Sequence, residues 1–235
     1  QKCAAPKPPP GAIEGPAGSA TSPMGSGKKG LYPFQLFSGA LQSQVRCSVC
    51  GNASNTVDPI EDLGLEIEGV GSVEEALRQH TKTETLEGAN AYKCEYCNKH
   101  VKATKKITLL DVPQVLVIQL KRFTFTQCSM FGPSKVNDNV KFNRNVELNE
   151  FMADHQRAKL AEEGKTLSAD LHAVVVHQGS TVHSGHYYAY VRGRNIEKPD
   201  KLGFNWYQMN DSSVRKVEWK HVKEDSPYLL FYNIK

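Results

Sequence analysis

The stretch TVHSGHYYAYVR, residues 181–192, sets His183 and His186 beside small residues and then runs into alternating aromatic ones. Histidine has the unperturbed pKa closest to neutrality, so an imidazole fixed at the mouth of a strand can carry a proton in catalysis. Read as a strand, the segment puts His186 first, with Tyr188 and Tyr190 on its face and Tyr187, Ala189 and Val191 on the other. Further along, NWYQMNDSSV offers Asn210 and Asp211 at another strand-to-turn junction. If the two strands are hairpin neighbours, a carboxamide or carboxylate there accepts from one ring nitrogen of His186 and leaves the other facing outward. That pairing is the histidine half of a cysteine-protease triad, in which the imidazole draws the proton from a thiol and the third residue fixes its tautomer. Residues of these types at this spacing are more often ordinary turn residues, and both readings stand at this point. His183, outside any strand, reads as an exposed loop residue.

Cysteines form the second group that could do chemistry. Cys47 pairs with Cys50 in CSVC and Cys94 with Cys97 in CEYC, leaving Cys3 and Cys128 as singles. Two residues between thiolates let both point at one ion from a tight knuckle, and two knuckles supply the four soft ligands of a tetrahedral structural zinc site. The 43 residues from 51 to 93 exceed what a compact zinc ribbon holds, so that segment is expected to form structure of its own. Disulfides, unrelated buried thiols and a redox CxxC site are the competing readings. A chain without a secretory signal favours zinc over disulfides, since reducing compartments keep thiols free. Neither pair sits in the strand-to-helix setting of a redox site. Cys128 reads as a small buried or loop residue, and Cys3 lies where no scaffold could hold it against a base.

These groups need elements to position them. LYPFQLFSGALQSQVRC suggests extended segments through Leu36, Phe37, Leu41 and Val45 leading into the first knuckle, and PIEDLGLEIEGV alternates through Ile60, Leu63, Leu65 and Ile67 as a half-buried strand. In SVEEALRQHT, Ser72 and Glu75 make a capping box and open a short helix. VPQVLVIQLKRF is a β-branched central strand, buried on both faces at its start. NEFMADHQRAKLAEEG reads as a helix with Asn149 as its cap and Gly164 as its stop. LHAVVVHQG, HYYAYVRG, NWYQMN and PYLLFYNI then follow at hairpin spacing, which implies a mostly antiparallel sheet with the few helices packed to one side. The class is α+β with a zinc-bearing projection.

A formal net charge of +4 is mild for 235 residues, and the basic side chains are scattered among acidic ones, so charge does not suggest nucleic-acid binding. No run of about eighteen apolar residues and no charged start leading into an apolar core occurs, so neither a membrane span nor a secretory signal is read, and a reducing cytosolic or nuclear setting is expected. The sequon-like NAS at Asn52 and NDS at Asn210 then have no glycosylation context. Residues 1–30, clustered in Pro, Gly, Ala and Ser, bury too little to offset the entropy of ordering and read as a flexible linker or the edge of a longer chain.

From Phe37 to Tyr232 the chain resembles the finger and palm regions of the ubiquitin-specific proteases, a family of cysteine deubiquitinases. The resemblance rests on LFSGALQSQVRCSVC, LEGANAYKCEYC, VPQVLVIQLKRF, the histidine box in HAVVVHQGSTVHSGHYYAYVR, WYQMNDSSV and the closing PYLLFY, in that order. It implies a papain-like palm of mostly antiparallel sheet over residues 59–83 and 111–235, and zinc-ribbon-like β fingers over residues 36–58 and 84–110. By motif, His186 resembles the general base, Asn210 the third triad residue and Asp211 the neighbouring acid that can share that role. Cys47, Cys50, Cys94 and Cys97 match the ligands of one structural zinc ion at the fingertip. The implied reaction is hydrolysis of the bond after the C-terminal glycine of ubiquitin, with ubiquitin and ubiquitinated proteins as partners and Tyr187 and Trp206 as candidate walls of the channel for its tail. WYQMNDSS is most similar to the branch that includes nucleolar enzymes, which adds the nucleolus to a cytoplasmic or nuclear expectation.

Two departures bear on activity. The family's nucleophile lies in a GNTCYLN-type box followed by a QQDAHEF-type segment, and neither occurs here. The expectation is therefore that the thumb and the nucleophilic cysteine lie outside this chain, which alone hydrolyses nothing. The alternative is an inactive relative that only binds ubiquitin. VKFNRNVEL also carries Asn143 where the family usually has proline, a change expected to alter only a local turn.

Overall fold

Alternating apolar residues punctuated by Gly, Asn, Asp and Pro build strands and turns through most of the protein. The computed structural model describes residues 34–124, 134–137, 139–179, 184–194 and 203–235. Cys3, Cys128, His183 and the stretch 1–30 lie outside the described residues. In chain order the first strands are β1 (Gly39–Cys47), β2 (Ala53–Ile60) and β3 (Leu63–Leu65), followed by helix α1 (Val73–His80). Then come β4 (Glu84–Leu86), β5 (Tyr92–Cys94), β6 (Lys99–Val101), β7 (Ala103–Asp111), β8 (Val115–Leu120), β9 (Phe123–Thr124), β10 (Ser134–Lys135) and β11 (Asn145–Glu147). Helix α2 (Asp154–Glu162), β12 (Ser168–Gln178), β13 (His186–Arg194), β14 (Phe204–Asn210), β15 (Ser213–Val217), helix α3 (Trp219–Glu224) and β16 (Pro227–Ile234) complete the order.

Two sheets carry the architecture. One is four-stranded in the order β2-β1-β7-β4, and the other runs β15-β14-β13-β12-β16-β8-β3, with β11 added on β12. All these pairings are antiparallel except β3 with β8. The expected antiparallel sheet with few helices is what forms. The large sheet's core face and the helices share one apolar cluster, which includes Val174, Val176, Tyr190 and Leu230 of the strands, Leu77 of α1 and Val222 of α3.

Local chemistry sets the helix ends. Ser72 Oγ accepts from the Glu75 backbone N–H at 3.2 Å and so caps α1, while Glu75 Oε2 accepts from the Gly71 N–H at 2.9 Å. Gly164 stops α2 in the left-handed region at φ +60°, where a Cβ would be strained, and the Lys165 N–H closes the turn on Leu160 O at 2.9 Å.

Several local expectations are corrected. Asn149 does not cap α2: Asn149–Phe151 is a separate 3₁₀ turn, and the Ala153 N–H donates to Leu109 O at 2.7 Å, which anchors the intervening residues to β7 and delays the helix. The Asn149 side chain instead holds the helix exit, accepting from the Leu167 N–H at 2.7 Å and donating to Lys165 O at 3.0 Å. Leu36 closes a 3₁₀ turn, Phe34–Leu36, and Ile60 ends β2, so only Leu63–Leu65 of the next alternating run pairs as a strand. Asn143 reaches beyond its own turn: its Nδ2 donates to Glu74 Oε1 on α1 at 2.8 Å, and its carbonyl accepts from Tyr232 OH at 2.9 Å.

Candidate active site and metal centre

His186 is the first residue of β13, and β13 pairs with β14 in the register Ala189 to Met209. Two antiparallel neighbours in that register carry the end of β14 back beside the start of β13, which is the condition the sequence left open. His186 Nε2 lies 2.6 Å from Asn210 Oδ1. A carbonyl oxygen only accepts, so Nε2 carries the proton and the Nδ1 lone pair is left free to take another. The His186 side chain is 44% exposed, enough to meet a reactant.

Asp211 stands differently. Its Oδ2 is 3.9 Å from the same Nε2, beyond hydrogen-bond reach, and its side chain is 80% exposed. Its φ of +50° places it in the left-handed region that Asp and Asn tolerate best among residues with a side chain, and it turns the chain into β15 with Asn210 opposite Ser213. Of the two candidates, the Asn210 carboxamide touches the ring and Asp211 serves the turn through its backbone.

Behind the imidazole stands a partly buried network that spacing did not reveal. The Tyr188 ring stacks 6.5 Å from that of His186, its hydroxyl donates to Asp225 Oδ2 at 2.5 Å, and Tyr190 OH donates to the same oxygen at 2.9 Å. Burial first, and the Asp225 carboxylate second, push both phenols up, Tyr190 to about 12, so both stay protonated donors. Alternation on β13 identified the tyrosines, but the turn Asp225–Ser226 carries no local sign that it faces them. Trp206 is corrected as a channel wall: it is 4% exposed and packs its ring 5.5 Å from Trp219 in the core. Tyr187, on the opposite face of the sheet, is 53% exposed.

The four paired cysteines gather at the far end of β1. Cys47 ends β1, Cys50 lies in the turn to β2, Cys94 ends β5 and Cys97 lies in the turn to β6. Their four sulfurs lie within 4.8 Å of one another, with Cys50 to Cys94 at 3.7 Å and Cys47 to Cys97 at 3.9 Å. A tetrahedral ion with sulfur ligands at about 2.3 Å requires sulfur separations of about 3.8 Å, so the set fits one. The backbone N–H groups of Cys50 and Val49 each donate to Cys47 Sγ at 3.4 Å. These donors, Cys50 first, pull the Cys47 thiol down to about 6, whereas hydrogen bonding to Cys50, with burial, pushes Cys97 up to about 12. One thiolate forms readily and the next is opposed, which is the state that a bound dication relieves.

Comparison with known proteins follows the same lines. The family model described as ubiquitin carboxyl-terminal hydrolase matches residues 24–232. Ubiquitin carboxyl-terminal hydrolase 25 of Arabidopsis thaliana is 39% identical over 85% of this chain and 27% of its own length. Ubiquitin carboxyl-terminal hydrolase 42 of Homo sapiens is 37% identical over 84% of this chain and 13% of its own length. Among solved structures, the SAGA Ubp8/Sgf11/Sus1/Sgf73 DUB module bound to ubiquitin aldehyde superposes with a TM-score of 0.71 at 31% identity, over 86% of this chain and 42% of the other. The chain thus spans less than half the length of these relatives. With a family model matched along almost its whole described length and relatives above one-third identity, this chain belongs to the ubiquitin carboxyl-terminal hydrolase family, as a member of the ubiquitin-specific protease type.

Proposed function

We propose that this chain supplies the general base, its orienting residue and the ubiquitin-holding surface of a cysteine deubiquitinase. The observation that carries the reading is the 2.6 Å contact of His186 Nε2 with Asn210 Oδ1, which fixes the tautomer a thiol needs. His186 Nδ1 accepts the thiol proton, and the thiolate adds to the carbonyl carbon of ubiquitin's last glycine. The imidazolium returns the proton to the departing amine, leaving a thioester that water hydrolyses with His186 again as base. Asn210 holds the ring throughout, and Asp211 sets the turn beside it.

The large sheet acts as the palm and the four-stranded sheet with the β5–β6 hairpin as the fingers beneath the body of ubiquitin. The cysteine tetrad holds one zinc ion, whose contribution is to clamp the two hairpins together. All four cysteines among the described residues belong to that tetrad, and on this reading the nucleophile comes from a segment outside this chain that carries the family's cysteine box.

A ubiquitin probe with a C-terminal electrophile tests the reading on this chain and on a longer form that carries that box. Labelling of the longer form alone is the expected result. Labelling of neither would replace the enzyme by a ubiquitin-binding module, and labelling of this chain as well as the longer form would move the nucleophile to Cys3 or Cys128.

A further inference from the structure

The approach to His186 is held from behind by two residues that the reaction itself does not use. The last pair of the β12–β13 ladder is Gln178 with His186. Just beyond it the two chains pinch together: a Cβ added to Gly179 would meet Ser184 O at 2.7 Å and Gly185 Cα at 2.8 Å. A Cβ added to Gly185 would fall on His177 Nε2, with His177 Cε1 at 2.7 Å and Gln178 O at 2.9 Å. Only glycine fits at either position, and the His177 ring is the surface on which Gly185, the residue before the base, rests.

His177 is 5% exposed, and its Nδ1 has no hydrogen-bond partner among the described residues. Aromatic rings wedge it on three sides, Tyr187 at 4.7 Å, Phe123 at 5.6 Å and Tyr228 at 6.4 Å between centroids. Burial, with the Lys135 charge second, pulls its pKa below the ordinary imidazole range, so it is a neutral, shape-bearing group. A buried polar nitrogen without a partner costs free energy that a leucine or phenylalanine would not, so the ring's presence calls for a geometric reason.

Lys135 fixes the same neck from its backbone side. Its ammonium donates to His177 O at 2.9 Å and to Gly179 O at 2.6 Å, two charge-assisted bonds that clamp the end of β12. The segment bearing Lys135 is itself tied down by buried Arg122, whose Nη1 donates to Val136 O at 3.1 Å and whose Nε donates to Pro227 O at 2.6 Å on β16. A continuous path of backbone carbonyls held by cations therefore runs from β16 through residues 122, 135 and 177 to Gly185 and the base.

We propose that Lys135 and His177 are positioning residues for His186: the ammonium sets the end of β12, and the imidazole of His177 sets the height of Gly185, so that the His186 ring meets its thiol in line. The proposal rests on the reading of His186 as general base. A displacement of about 1 Å in a reacting group costs on the order of 100-fold in rate, whereas ubiquitin's body would contact surfaces away from this neck.

Two measurements test it. In the full-length protein with a ubiquitin amide substrate, Lys135→Met and His177→Ala are expected to lower kcat about tenfold or more with KM within about twofold, and Lys135→Arg to restore part of the loss. In this chain, the NMR ring resonances of His186 are expected to move in both variants and to stay in place in Glu84→Gln, on a strand of the other sheet. Unchanged kcat together with unmoved ring resonances would overturn the proposal. So would a rise in KM with the ring unmoved, which would make Lys135 a substrate contact. Should the wild-type full-length protein show no turnover, the enzyme reading fails by itself, and the ring resonances alone decide whether the neck positions His186.

Discussion

Exchange of His186 for alanine in the full-length protein is expected to lower kcat for ubiquitin amide hydrolysis by at least about 1,000-fold, while ubiquitin affinity stays within about twofold. The asymmetry follows from where the group acts. In the proposed reaction its proton transfers would occur only as the thiol attacks and the amine leaves, whereas the body of ubiquitin would rest on the sheets. The companion variants separate the two acceptors. Asn210→Ala removes the 2.6 Å partner that fixes the tautomer, and a loss on the order of 10- to 1,000-fold in kcat is expected. Asp211→Asn keeps a residue that tolerates the left-handed turn and removes only a charge that is 80% exposed and 3.9 Å away, so activity should stay within about twofold. Equal losses at both positions would mean that the carboxylate shares the role, and retained turnover in His186→Ala would remove the base from this site altogether.

That division between Asn210 and Asp211 marks how far the sequence could be read. Adjacent residues at the end of a strand point to opposite faces, so a single step in register decides which of them meets the ring, and register is a property of the paired sheet. Each CxxC knuckle needed no such information, since two residues between ligands fix their separation locally, whereas the meeting of the two knuckles is again a property of the folded strands. His186 at the first position of a strand was legible for the same local reason. Lys135 and His177 were not, because they meet across 42 residues and through a backbone carbonyl, which leaves no side-chain pattern to read. Helix α3 escaped notice because its six residues are too short to show a period, and Trp219 within it shows its purpose only against Trp206. The Asn149 capping signal misled because the Ala153 N–H is committed to Leu109 O on β7, and the helix opens only after it.

Replacement of Cys94 by serine should release the metal and unfold the fingertip first, leaving the large sheet intact. The fingertip has almost no apolar core of its own: its buried cluster is Cys47, Cys94 and Val101, with Tyr92 and Cys97 packed against it. The β5–β6 hairpin pairs only three residues a side, and an isolated two-stranded hairpin is marginal in water. β2 is exposed at every position but its last, so it cannot supply the missing burial. Structural zinc contributes on the order of 10 kcal/mol in small zinc domains, far more than this cluster can, and serine is a poor ligand in place of a thiolate. Bound zinc is expected to fall from about one equivalent per chain to near none, and amide exchange protection to vanish over Tyr92–Val101 and around Cys47. The amides of Val174, Tyr190 and Leu230, inside the core cluster of the large sheet, should keep theirs. A chelator applied to the wild-type chain should reproduce the pattern, because the same ion is removed by a different route. Unchanged metal content in the variant would exclude Cys94 as a ligand. Simultaneous loss of protection in both sheets would mean that the fingers and the large sheet fold as one unit, with the ion holding more than its own hairpins.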